Sequence, residues 1–200
     1  MSPADHNPIE YFQKWFHEIH QKYPEIEANA MLLSTIGLDG YPKSRIVLLK
    51  QFTWEGFIFF TNYESEKGKA IASNNNVSIL FNWSVSHRKV LISGSAEKIP
   101  ENLSEGYFES RPEGSKLGAW ASKQSDIVTS RKNLEDQLKH YQSKFKDRDI
   151  PKPEYWGGYI IKPEVIEFTK YDALLGVNKI IIYKMQSDYN WSKDIKYSIV

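Results

Sequence analysis

Three short stretches carry the side chains needed to hold an anion. Arg45-Ile46-Val47-Leu48-Leu49-Lys50 places an apolar strand between two cations. Phe60-Thr61-Asn62 follows, and Ser65-Glu66-Lys67-Gly68-Lys69 adds a hydroxyl and two lysines. Arginine offers a planar donor fork and lysine a compact charge, so these residues beside hydroxyls suit a phosphate group. Ser110-Arg111-Pro112, Gly118-Ala119-Trp120 and Lys123-Gln124-Ser125 repeat the same chemistry farther along. Two such clusters point to two phosphorylated ligands, or to one ligand with two anionic ends.

The elements that must position these groups are mostly short strands. Asn7-Pro8 opens a helix, since Asn caps and Pro suits the first helical position; Ile9, Phe12, Trp15, Phe16 and Ile19 then recur at helical spacing. His17 and His20 on that helix lack a third ligand and read as surface residues. Strands are expected over 30–36, through Lys50, over 56–61, 77–83, 88–97, 156–162 and 164–170, with a hairpin turn at Leu38-Asp39-Gly40. Helices are expected over 66–74 and 100–110, and again after a cap at Ser125 or Asp126, where Ile127, Leu134, Leu138, Tyr141 and Phe145 form one stripe. Tyr107 and Arg111, four apart, would share a helix face that Pro112 ends, with Ser115 in the loop beyond. Ser125 would lie at a helix start, where free N–H groups and the dipole favour an anion. Alternating βαβ units are missing, so the expected fold is mainly β: an antiparallel barrel with peripheral helices, whose closure removes exposed edges.

Composition bounds the function. The 200 residues suit one domain, 1–200, without internal repeat or linker. A net charge of +1 with interspersed signs argues against a nucleic-acid partner. The absence of cysteine removes thiol catalysis and zinc–thiolate sites. A polar start and the lack of a long apolar run argue against a signal peptide or a membrane partner, and lead to a cytoplasmic expectation.

The ordered set of motifs resembles the pyridoxamine/pyridoxine 5′-phosphate oxidase family. Its pieces are Arg45 to Lys50, Phe60-Thr61-Asn62, Ser65 with Lys67, Tyr107-Phe108, Ser110-Arg111-Pro112, Ser115, Gly118-Ala119-Trp120, Ser122 to Ser125, and Trp156-Gly157-Gly158. Together they span about residues 8 to 168 in family order, and the 110–125 block is the most specific. The resemblance implies an antiparallel split β-barrel with FMN at the interface of a homodimer. It implies that Arg45, Ile46, Val47, Leu48, Leu49, Lys50, Phe60, Thr61, Lys67, Lys89, Gln124 and Ser125 bind FMN. Lys50, Tyr107, Arg111 and Ser115 would hold the substrate phosphate. The implied reaction moves a hydride from C4′ of pyridoxamine or pyridoxine 5′-phosphate to the flavin, which dioxygen reoxidises with release of hydrogen peroxide. No acid–base pair of the protein is required, because the cofactor carries the redox chemistry.

Departures from the family pattern are equally specific. Glu66-Lys67 replaces an Arg-Lys pair, with Lys69 near enough to compensate; Lys89 stands for a flavin-contacting Gln, and Thr169 for a Trp. The tail, from about 169 to 200, diverges most. Leu174 to Lys179 lies where the family has an Arg-Leu-His-Asp-Arg run, with Lys179 in the place of its second Arg, a flavin contact. Two alternatives follow: a flavin- or pyridoxal-phosphate-binding relative with little turnover, or an oxidase of another substrate. A barrel binding single-stranded nucleic acid through aromatics is the remote third.

Overall fold

The computed structural model describes residues 7–121, 131–187 and 189–199. Helix α1 (Pro8–Lys22) starts where Asn7 accepts the Ile9 N–H at 2.9 Å. Strands β1 (Ala30–Ile36) and β2 (Pro42–Leu48) form a hairpin, and β3 (Gln51–Thr53) turns into β4 (Gly56–Asn62). Helix α2 (Glu66–Ser73), the hairpin β5 (Asn76–Trp83) and β6 (Arg88–Lys98), and helices α3 (Glu101–Glu109), α4 (Glu113–Ala121) and α5 (Arg131–Lys144) follow. The chain closes with β7 (Trp156–Asp172), β8 (Val177–Ser187) and β9 (Asn190–Ile199).

All strand pairs are antiparallel, in the order β2-β1-β5-β6-β7-β4-β3, with β8 on β7 and β9 on β8. The two ends of the main path, β2 and β3, are joined only by Leu49 and Lys50, so the sheet curls back on itself without a ladder across that seam. The first part of β7 pairs with β4 and its last part with β8, which makes the barrel split.

Three local expectations are corrected. Residues 156–162 and 164–170 are one strand, because Pro163 faces a bulge at Ser93/Gly94 where its missing N–H costs no ladder bond. Pro112 does not lead into a loop: its carbonyl accepts from Ser115 and Lys116, and Ser115 lies in the first turn of α4. A first-turn position needs no intrahelical N–H, so proline opens a helix as readily as it ends one. The tail forms the β8–β9 hairpin, which the sequence pattern did not reveal.

The core lies between the concave face of the sheet and α1. Phe12 of α1 is fully buried and meets Phe52, Phe57 and Phe81 edge-on at 5.0–5.1 Å between ring centroids. The convex face is laid out in cross-strand rows, because directly paired residues point the same way. Ile46, Leu32, Leu80 and Leu91 form one row across four strands, and Ser44, Ser34, Ser78 and Ser93 form the next. Ile46 is 64% exposed and Leu91 36%, so no described element of this chain covers that apolar row.

Candidate functional site

Strand β2 presents Arg45 toward the concave side, opposite buried Leu33. Its Nη1 donates to Thr35 Oγ1 at 2.7 Å and to the Lys43 carbonyl at 2.9 Å, which fixes the guanidinium at the barrel rim. Helix α2 delivers Lys67 to the same place. Ser65 caps that helix through the Gly68 N–H at 3.2 Å, and Lys67 Nζ lies 3.4 Å from the Ser65 hydroxyl. Burial pushes the Lys67 ammonium below its usual range, and the nearby Arg45 charge pushes it further. Burial also lowers Arg45. Two partly desolvated cations facing each other at a capped helix start make a place for an anion. Thr61 is buried on β4.

The second cluster is built around aromatic rings. Phe60 of β4 and Tyr107 of α3 stack at 3.9 Å with 9° between planes, and Phe60 and Trp156 at 5.2 Å with 8°. The Arg111 guanidinium lies over the Trp156 ring, 4.7 Å from its centroid. Arg111 Nη1 is buried without a hydrogen-bond partner among the described residues. Burial holds the Tyr107 phenol above and the Arg111 guanidinium below their usual ranges, each partly offset by the other. Lys50, Phe60 and Tyr107 line one cavity of about 580 Å3, floored by Ile58, Ile99 and Ile160. Tight backbone packing holds the wall. A Cβ on Gly157 would collide with the Tyr63 hydroxyl, which donates to the Gly158 carbonyl at 3.2 Å.

The structure thus brings Arg45 to Lys67, and Lys50 and Phe60 to Tyr107 and its neighbour Arg111. Ser115 is exposed on α4, one turn beyond Arg111. In the strand from Arg45 to Lys50, Leu49 is buried in the core while Ile46 faces out, so the stretch serves both faces of the sheet. Lys89 is exposed on the convex face in one row with Thr169 and Ile180. Lys179, paired with Lys170, points to the opposite face and lines a cavity with Tyr11, Trp15 and Phe168. It therefore cannot share a ligand contact with Lys89 within one protomer. Gln124 and Ser125 lie outside the described residues. Sequence reasoning missed Trp156 as the plate under Arg111, and it missed an ion-pair chain through Lys43. Lys43 Nζ lies 2.6 Å from Glu66 and 3.0 Å from Asp39, while Glu66 is 4.0 Å from Arg45. The only signal for it was the Lys43–Arg45 spacing on one strand face. Among the described residues no helix is long and apolar enough to cross a membrane.

Comparison with known proteins bears on the family and the fold. The family model described as pyridoxamine 5′-phosphate oxidase matches residues 17–145. A protein of Flavobacterium psychrophilum named pyridoxine/pyridoxamine 5′-phosphate oxidase is 50% identical over 185 residues, covering 92% of this chain and 86% of its own. The Bos taurus protein named pyridoxine-5′-phosphate oxidase is 45% identical over 81% of this chain and 62% of its own. Among solved structures, PhzG from Burkholderia lata superposes with a TM-score of 0.88 at 22% identity, covering 99% of this chain and 98% of that one. At that identity the likeness speaks for the fold alone, an antiparallel split barrel.

Proposed function

Because the chain belongs to the pyridoxamine 5′-phosphate oxidase family, we propose that it is an FMN-dependent oxidase. It converts pyridoxamine or pyridoxine 5′-phosphate to pyridoxal 5′-phosphate with dioxygen as acceptor. The observation that carries this reading is Arg111: a guanidinium laid over Trp156, with a buried Nη1 that has no partner among the described residues, beside the cavity of Lys50 and Tyr107. A buried donor without a partner costs about 1–3 kcal/mol, and a ligand oxygen recovers that cost.

The residues fit FMN at its phosphate end. Arg45 and Lys67 would take the phosphate, with the Ser65-capped start of α2 adding its dipole and Thr61 a hydroxyl. The chemistry that FMN would supply when bound is acceptance of the C4′ hydride and reduction of dioxygen to hydrogen peroxide. Lys50, Tyr107, Arg111 and Ser115 would hold the substrate phosphate, and that remote binding energy would position C4′. Phe60 and Tyr107 give this side of the cavity an apolar wall, with Trp156 packed behind them. The remaining wall would come from a second copy. The uncovered row Ile46, Leu32, Leu80, Leu91, with Lys89 and Thr169 beside it, supports a homodimer with FMN at the interface.

The test is a titration of apoprotein with FMN, followed by assay of pyridoxal 5′-phosphate and peroxide from both phosphorylated substrates. Absence of flavin binding rejects the reading. A second reading, a binder with little turnover, is favoured by the β7–β8 turn. Leu174 and Leu175 there are 96% and 71% exposed and supply no charge to a ring. Flavin binding without peroxide would select it.

A further inference from the structure

The Glu66 carboxylate stands between two cations of different duty. It lies 2.6 Å from Lys43 Nζ and 4.0 Å from Arg45 Nη2. Lys43 is also held by Asp39, 3.0 Å away in the β1–β2 turn. Arg45 donates through Nη1 to neutral oxygens of Thr35 and Lys43, which leaves Nη2 as the end that meets a charge. Lys67, the other cation of this cluster, has only the Ser65 hydroxyl as a hydrogen-bond partner among the described residues. Resting on the reading that Arg45 and Lys67 take the FMN phosphate, we propose that Glu66 is a built-in competitor for that phosphate. Lys43 sets the strength of the competition by drawing the carboxylate away from Arg45. Neither residue need touch the ligand; both position charge around the residue that does.

Three observations support the device. Geometry favours Lys43 as the carboxylate's first partner, since the Lys43 contact is the shorter. The Lys43 hydrogen bond lowers Glu66 from the usual carboxylate range, and Glu66 in turn raises Lys43, so both groups stay charged across neutral pH. Glu66 is 61% exposed, so its side chain has room to move between partners. A phosphate entering beside Arg45 meets a carboxylate at close range unless Lys43 holds it. With Lys43 gone, Glu66 loses its shorter ion pair, and Asp39, itself an acid, loses the lysine that it shares with Glu66.

The experiment is an FMN titration of the full-chain apoprotein, read by quenching of flavin fluorescence, with riboflavin as the ligand that lacks the phosphate. Glu66→Gln should tighten FMN about two- to fivefold at low salt, the range open to an exposed charge pair. Lys43→Met should weaken it by a similar factor. In the Glu66→Gln background Lys43→Met should have almost no effect, because its action runs through Glu66. Riboflavin affinity should stay unchanged in all three, and the differences should shrink as salt rises. A Lys43→Met loss that persists in the Glu66→Gln background overturns the proposal, and so does a Glu66→Gln variant that binds FMN no better. Arg45→Ala separates the two levels. If it leaves FMN affinity intact, the phosphate assignment itself is wrong; if it weakens FMN while Glu66→Gln is silent, only the competitor role fails.

Discussion

The Arg111 guanidinium lies over the Trp156 ring, 4.7 Å from its centroid, with one guanidinium nitrogen buried and without a partner among the described residues. The pair joins the end of α3 to the first residue of β7, so the arginine is aimed before any ligand arrives. Arg111→Ala should weaken pyridoxal 5′-phosphate binding by roughly 1.5–3 kcal/mol, the worth of a charged hydrogen bond. Arg111→Lys should recover little, since a point charge replaces neither the planar stack nor the fork. Calorimetric titration with pyridoxal 5′-phosphate and with unphosphorylated pyridoxal checks this. Equal losses for both ligands would remove Arg111 from the phosphate.

Gly157 owes its place to contact with the Tyr63 hydroxyl. Gly157→Ala should destabilise the fold by about 1–3 kcal/mol, as overpacking does. The hydroxyl, Cζ and Cε2 of Tyr63 would all lie within 3.0 Å of the new methyl, so Tyr63→Phe should not rescue Gly157→Ala, whereas the cost of Gly157→Ala should fall in a Tyr63→Ala background. A cost that stays the same in the Tyr63→Ala background would show that the backbone, not the Tyr63 ring, limits this position.

Glu18 and Arg88 pair at 2.7 Å, with the guanidinium also 4.8 Å from the Trp15 ring centroid. The Arg88 hydrogen bond holds Glu18 below its usual value of 4.5. A carboxylate depressed in the folded state stabilises above its unfolded pKa, and that contribution is lost as pH falls through the folded one. Wild type should therefore lose stability more steeply than Glu18→Gln below about pH 4.5. Both groups are partly exposed, so solvent screening makes the difference modest. Urea melts across pH 3 to 6 measure it; parallel curves would show that the pair contributes nothing.

The barrel strands and α1 were legible because their apolar patterns are local: a short apolar run opening Ala30–Ile36, and apolar residues at helical spacing from Ile9 to Ile19. The split into two strands at Pro163 misread a bulge, since the proline's partner strand is invisible in a local window. Helix α4 was hidden by Pro112, which is compatible with either end of a helix. The β8–β9 hairpin was hidden for opposite reasons. Ile180-Ile181-Ile182 breaks the alternation expected of a half-buried strand, and β9 is exposed along most of its length. Among site residues, single cations were visible but their pairing was not. Lys43 and Glu66 are 23 positions apart, and no local pattern joins them.

The convex face predicts assembly. Leu91→Glu places a charge in the middle of the apolar row, opposite Leu80 and beside Glu167. It should convert a dimer to monomers and lower FMN affinity with it, while far-UV dichroism stays native because Leu91 is 36% exposed in one chain. Sedimentation at micromolar concentration with and without FMN is the measurement. A monomeric, flavin-loaded wild type would contradict the interface.

The tail supplies the sharpest chemical prediction. Leu175 and Val177 flank Gly176 in the β7–β8 turn, at the positions where the resemblance expects Arg and His. Substrate phosphate should therefore bind, while the reacting carbon is held less well; misplacement of that kind costs up to about a hundredfold in rate. Leu175→Arg with Val177→His should raise kcat more than it changes the affinity for phosphate. Within one protomer the turn borders the cavity of Tyr11 and Trp15, not that of Lys50 and Tyr107. The gain must then cross to a second copy. Mixed dimers test this, with one protomer carrying the new Arg and His but also Arg111→Ala, and the other keeping an intact Arg111 and the native turn. If the turn serves the partner's site, those dimers outperform mixtures of native and Arg111→Ala protomers. If the gain appears only when the new turn and the intact Arg111 share one chain, the turn acts on its own protomer and the arrangement drawn here is wrong.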